Sequence, residues 1–208
     1  MNRGSCRFFL AWGRGSRMLR PSMNEQHVAW APWSGPGHEH LVLREVPRGL
    51  SAHSTVEGVT DAGRRFSLRY FLRTDSAFRV REVELALLGS DSRLSLRSDG
   101  AGRWSDDKGR SLPELEGCID VDISVTPFTN TLPIRRLGLA PDSSDDVRVV
   151  YLDVPALTAR PARQRYICLG PELYLFESLE SGFRAELRVD LDGLVVEYAG
   201  LFRRLPSR

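Results

Sequence analysis

Strict two-residue alternation of apolar and polar side chains recurs along this chain, and few folds can use it. Phe66, Leu68, Tyr70 and Leu72 interleave with Ser67, Arg69, Phe71 and Arg73. Val83, Leu85 and Leu87 interleave with Glu82, Glu84 and Ala86. Phe183, Ala185, Leu187 and Val189 interleave with Arg184, Glu186, Arg188 and Asp190, and Leu194, Val196 and Tyr198 follow the turn Asp190-Leu191-Asp192-Gly193. Side chains two apart share one face of a strand, so each run predicts a half-buried strand. Residues 147–154 are apolar on both faces, as a central strand is, and residues 173–176 look similar. Asp99-Gly100 and Asp61-Ala62-Gly63 supply turns, because Asp-Gly suits the positive φ of tight hairpins. No segment after residue 23 keeps a 3.6 period for three turns. The best helix candidates are short, at residues 112–115 and in a turn near residues 143–146. The pattern predicts an all-β, single-domain antiparallel roll, barrel or sandwich with few short helices.

No Pro-, Gly- or Ser-rich linker divides the chain and no repeat recurs, so one domain over residues 25–205 is expected. Residues 1–24 are expected to be a disordered extension, or upstream sequence mis-assigned ahead of Met23. The apolar run Phe8-Phe9-Leu10-Ala11-Trp12 is too short for a secretory core, and no small-residue cleavage site follows it.

Hydrophobic content of 41% in 208 residues suffices for a core. Of 29 basic residues only Lys108 is a lysine, and the arginines are mixed with acids almost everywhere. With net charge +2 and no basic stripe, nucleic acid is not an expected partner. Cys6, Cys118 and Cys168 are odd in number and show no CxxC spacing. They fit reduced thiols in the cytoplasm, not a disulfide framework or a zinc ribbon. No apolar run approaches the ~20 residues of a membrane span, so an integral membrane protein is not expected.

One segment, residues 117–137, gathers more polar groups beside a strand than any other. Ile119, Val121, Ile123 and Val125 fall on one side; Asp120, Asp122, Ser124 and Thr126 fall on the other. Next comes Thr126-Pro127-Phe128-Thr129-Asn130-Thr131-Leu132-Pro133, a proline-bounded turn, then Arg135 and Arg136. Asp120 and Asp122 sit roughly 6.5–7 Å apart on one face. That spacing fits a general acid–base pair, a cation site, or ligand contact. It also fits simple neutralisation by Arg135 or Arg136 returning over the turn.

His38-Glu39-His40 places two imidazoles on one face of a strand. With an aspartate they make three metal ligands, but the spacing is not HExxH, and polar packing or ligand contact serves as well. Cys118 reads as a buried small residue, since nothing in the sequence sets a base beside it. There is no GxSxG, no phosphate loop and no dinucleotide fingerprint, so no metal, cofactor or catalytic residue is assigned.

A resemblance can be read from longer words. They are Trp33 with Gly37-His38-Glu39-His40-Leu41, Asp99-Gly100 with Gly102 and Trp104, and Gly117-Cys118 with Asp120-Val121-Asp122. Then come Thr126-Pro127, the run Thr129-Asn130-Thr131-Leu132-Pro133-Ile134-Arg135-Arg136-Leu137, Gly193-Leu194-Val195, and Tyr198 with Gly200-Leu201-Phe202. From about His27 to Arg204 the chain resembles a bacterial glycolipid-binding family, formerly a domain of unknown function. Phe78 stands where that family is expected to carry tryptophan. The resemblance implies a spiral β-roll, an incomplete barrel, that binds lipid or glycolipid without catalysis.

The expected ligand contacts are Trp33, His38, His40, Asp120, Asp122, Thr129, Asn130, Arg135, Arg136 and Tyr198. Aromatic side chains would take acyl chains, and the histidines, Asn130 and the arginines would meet the head. Two alternatives stand beside this. One is a hydrolase or isomerase using Asp120 and Asp122 with His38 or His40. The other is an interaction module pairing through sheet edges. Oligomeric state is not fixed by the sequence.

Overall fold

The computed structural model describes residues 25–60 and 62–206; the expected extension, Cys6 and Asp61 lie outside them. Alternation produces strands throughout. Strands β1 (Glu25–Pro32), β2 (His38–Val46), β3 (Gly49–Val59), β4 (Arg65–Thr74), β5 (Val80–Leu87), β6 (Arg93–Ser98) and β7 (Trp104–Asp106) form an antiparallel meander. After β8 (Asp120–Ile123) come β9 (Ser144–Asp153), β10 (Thr158–Gly170), β11 (Leu173–Ser178), β12 (Arg184–Val189), β13 (Val195–Tyr198) and β14 (Phe202–Arg204). All join one 14-stranded sheet, ordered β7-β6-β5-β4-β3-β2-β1-β14-β13-β12-β11-β10-β9-β8.

Twisted sheets of more than roughly ten strands curl rather than stay open. This one curls without closing into a barrel. Its free edges are β7 and β8, of only three and four residues. Such short edges offer little for strand pairing with another chain. Every pairing is antiparallel except β8 with β9, which is parallel. That departs from the antiparallel expectation at one pair: β8 leads into β9 through a crossover that contains a helix, not through a hairpin.

Strands β8 and β9 divide two cores. Val121, Ile123, Val150 and Leu152 pack with Trp30, Leu41, Leu68 and Leu85 in the first. Val147, Val149 and Tyr151 turn the other way, toward Tyr166, Phe176, Leu187 and Tyr198 in the second. Asp120 and Asp122, out of phase with Val121 and Ile123, therefore face the second core. The expected aromatic interior is largely filled: Trp30, Trp104, Phe128 and Tyr166 are all buried core side chains.

The end of the expected turn, residues 131–133, and the four residues after it form the one α-helix among the described residues, α1 (Thr131–Leu137). A 3-10 turn at Phe128–Asn130 runs into it. Pro133 sits in the first helical turn, where no intrahelical N–H is needed. Gly138 ends the helix at φ 53°, its N–H bonding to the Ile134 carbonyl. The candidate at residues 112–115 is a 3-10 turn, Pro113–Leu115, whereas residues 144–146 belong to β9.

Several hairpins are closed by an aspartate that accepts the N–H groups two and four residues on. Asp99 holds Ala101 and Arg103, Asp106 holds Lys108 and Arg110, and Asp190 holds Asp192 and Leu194. Those backbone donors, Ala101 first, keep the Asp99 carboxyl below its ordinary value. Gly102, at φ +95°, lets the chain between β7 and β8 lie against this hairpin. A Cβ there would sit 2.8 Å from the Gly117 Cα. Gly102→Ala should cost about 2 kcal/mol in urea unfolding, through strain and the clash together. A loss under about 0.5 kcal/mol would mean the contact yields freely.

Candidate functional site

Alternation along β2 turns Leu41 and Leu43 inward, and Glu39 is in phase with them. A carboxyl so placed must be paired or neutral. Glu39 is 2% exposed. Its Oε1 accepts from the Tyr70 hydroxyl at 2.6 Å and from the Ser54 hydroxyl at 2.8 Å. Those donors come from β4 and β3, where Ser54 and Tyr70 are cross-strand partners. Oε2 has no partner. The Thr126 hydroxyl stands near enough to favour the charged form, yet completes no hydrogen bond to it. Burial dominates and pushes the carboxyl up to about 7, with Thr126, Tyr70 and Ser54 pulling it partly back.

Glu39 forms part of the wall of a chamber of about 220 Å³. Trp30, Pro32, Val56, Phe66, Val125 and Phe202 make it largely apolar. His38 and Glu57, both exposed, lie at its mouth 4.0 Å apart. Val59, Phe66, Ser124 and Val125 also line an adjoining groove of about 1030 Å³. That groove adds Leu87, Leu88, Val154 and Pro155, and the exposed Arg64 and Arg65 line it together with Asp153. The chamber is thus largely apolar with one buried acid in its wall, and the groove beside it mixes apolar and charged side chains.

The ligand contacts expected from sequence fall in several places. Trp33, 48% exposed, follows β1, and its N–H bonds to the Leu201 carbonyl. His38 and His40 lie on the outer face of β2; His40 is 3.4 Å from His27 and lines a separate outer groove with His53 and Phe71. No group of three or more metal-ligand residues forms among the described residues.

Asp120 is fully buried and receives two hydrogen bonds from Arg136, at 2.6 and 3.2 Å. Burial raises its carboxyl, and the guanidinium offsets that. Asp122 accepts from Gln164 at 2.6 Å and Thr129 at 3.4 Å. Asn130 accepts from the Tyr166 hydroxyl at 2.8 Å and donates to the Pro127 carbonyl. These residues form one polar network between β8, α1 and β10. Tyr198 lies beside it, its phenol raised first by burial and then by Asp122. Arg135 turns elsewhere, over the Phe78 ring at 5.0 Å and toward Asp192 at 3.6 Å.

The aspartates and the histidines therefore do not converge on one cleft. Aromatic contact links the second core to the chamber, because Tyr198 packs on Phe202 with ring centres 6.4 Å apart. Sequence reasoning passed over Glu39, Ser54 and Tyr70. The signal was present in Glu39, a charged residue in phase with two leucines of one strand.

A family model described as "Putative glycolipid-binding" matches residues 27–204. The crystal structure of a DUF1089 family protein from Pseudomonas aeruginosa, at 1.80 Å resolution, is 40% identical with TM-score 0.76. The likeness covers 83% of this chain and 95% of that one. Comparison with curated proteins finds no match. No helix among the described residues is long and apolar enough to cross a membrane. Matched over nearly the whole curled sheet, the chain belongs to the "Putative glycolipid-binding" family.

Proposed function

We propose that this protein holds an amphiphile, a lipid or glycolipid, in the cytoplasm and performs no chemistry on it. The observation that carries the reading is the largely apolar chamber, which shares Phe66 and Val125 with the longer groove beside it. An acyl chain lies along Phe66, Leu87, Leu88, Val125 and Val154, where it loses water contact. The head reaches the chamber, with Trp33 and His38 near the mouth. The chamber alone, at about 220 Å³, is smaller than small-molecule sites of roughly 300–1,000 Å³, so the ligand extends into the groove. The family's description supports the lipid class. Tyr198 packs on Phe202 in the chamber wall, while Asp120, Asp122, Thr129, Asn130 and Arg136 form the polar network beside Tyr198, and Arg135 lies farther off.

Native mass spectrometry of protein purified from its own host, with lipid extraction, tests the proposal. Roughly one lipid per chain is expected. Protein that carries no lipid, and gains none on incubation with total lipid extract, would overturn it.

A further inference from the structure

We propose that His27 and His40 form a two-nitrogen site for a divalent transition-metal ion of the zinc or copper type, on the outer face of the sheet. The site is independent of the amphiphile reading, because the chamber lies on the other face of β2.

The first observation is placement. Alternation sends His27 outward on β1, His38 and His40 outward on β2, and His53 outward on β3. The chain has only these four histidines, so three adjacent strands carry all of them on one exposed face. Two of the four are turned elsewhere. His38 lies toward Glu57 at 4.0 Å, and His53 lies on the Phe71 ring with ring centres 4.8 Å apart. His40 is opposite Ala29 of β1, which makes His27 its diagonal neighbour.

The second is the distance between ring nitrogens. His27 Nδ1 and His40 Nε2 are 3.4 Å apart. A good hydrogen bond between such groups is shorter, about 2.7–3.2 Å. Two nitrogens held about 2.0–2.1 Å from one tetrahedral ion stand about 3.3–3.4 Å apart. The ring centres are 5.4 Å apart and the planes are tilted by 40°, so the rings do not stack.

The third is what holds His27. Its Nε2 is 2.7 Å from Glu25 Oε1, and Glu25 Oε2 accepts from the Arg44 Nε at 2.6 Å. A carboxylate beside Nε2 keeps the ring proton there and leaves the Nδ1 lone pair facing His40. Metal-binding histidines are oriented in this way, by a carboxylate on the second nitrogen. Arg44 first, then His27, hold the Glu25 carboxyl below its ordinary value, so it stays ionised for that role. The His40 Nδ1 makes no hydrogen bond among the described residues, so it takes the ring proton and frees Nε2 for the ion. With two protein ligands, the ion keeps water at its remaining positions. It ties β1 to β2, and β1 is the strand that also pairs with β14.

The full chain, stripped by chelator and desalted, is titrated with Zn²⁺ at pH 7.5 in a calorimeter. His27→Ala and His40→Ala should each weaken binding at least about tenfold, since each removes one of two ligands. Both positions are exposed, so the variants keep the fold. His53→Ala should bind as the native chain does. Cu²⁺ should bind more tightly than Zn²⁺, and Mg²⁺ should not compete. The electron paramagnetic resonance spectrum of the Cu²⁺ complex should show two imidazole nitrogens in the native chain and one in either variant. Zn²⁺ should raise the thermal midpoint of the native chain more than that of His27→Ala, because an ion that binds the folded state stabilises it. Zn²⁺ affinity that either variant leaves unchanged, or that falls with His53→Ala instead, would remove the site. A copper spectrum with fewer than two imidazoles, or a midpoint that Zn²⁺ moves equally in both proteins, would count against it in the same way.

Discussion

Arg136→Ala should destabilise the fold by about 3–5 kcal/mol, the range for breaking a buried ion pair by removing one partner. Asp120 has no accessible surface, and Arg136 supplies both of its hydrogen bonds. Without the guanidinium the carboxylate is left in a low-dielectric site with no compensation. It must then take up a proton or admit water between β8 and α1. The loss should grow as pH rises above the ordinary carboxyl value of 3.8, because keeping the buried Asp120 protonated becomes costlier from there upward. Adding Asp120→Asn to Arg136→Ala should recover part of the loss, because the buried charge is gone. Replacing the pair by apolar residues of similar shape should be nearer neutral than either single change. Urea unfolding at pH 7 decides the matter. A change below about 1 kcal/mol for Arg136→Ala would show that water already reaches Asp120.

The second large effect concerns pH. Glu39 is raised from 4.5 in the unfolded chain to about 7 in the folded one. The folded state thus holds its proton more tightly. Its favourable contribution is complete below pH 4.5 and is lost as pH rises through 7. Summed to pH 8, the loss is about 3 kcal/mol. Glu39→Gln has no such titration. The stability difference between Glu39→Gln and the native chain should shift by about 2.5 kcal/mol in favour of the variant between pH 5 and pH 8. Denaturant midpoints at four pH values across that interval measure the shift. Parallel profiles for the two proteins would show that Glu39 ionises as an ordinary carboxyl.

Much of the sheet could be read from side-chain period. Leu68, Tyr70 and Leu72 point inward on β4, as do Val83 and Leu85 on β5. The period did not reveal which edges meet. Neighbouring hairpins follow from short turns, but the β1–β14 pairing and the parallel β8–β9 pair depend on how the whole sheet curls. Helix α1 was hidden for a different reason. At seven residues it is shorter than any window that shows a 3.6 period, and its proline suggested a break. That proline lies where a helix tolerates one. On β13 a register shift beside Val189 puts Val195 inside and leaves Val196 40% exposed, although Val196 had been grouped with Leu194 and Tyr198.

For the candidate site, the Asp120–Arg136 pair was legible from a strand face and a nearby basic pair. The parting of Arg135 from Arg136 was not, because adjacent residues on a helix point about 100° apart. Glu39 was masked by the histidines on either side. Alternation put those on the outer face and the acid inside.

The pairing of β1 with β14 carries a consequence for chain connectivity. Only that contact, among the antiparallel ones, joins strands far apart in sequence. If β14 were spliced to β1 and the chain opened between β7 and β8, the strand order would become a single uninterrupted run. Every antiparallel neighbour in the sheet would then be the next strand along the chain. Leu205 already bonds to the Ala29 carbonyl, so the splice must cross only the few residues of β1 before it, about 15 Å. The architecture is thus a circularly permuted meander, and its slowest folding step should be the long loop closure that brings β14 to β1.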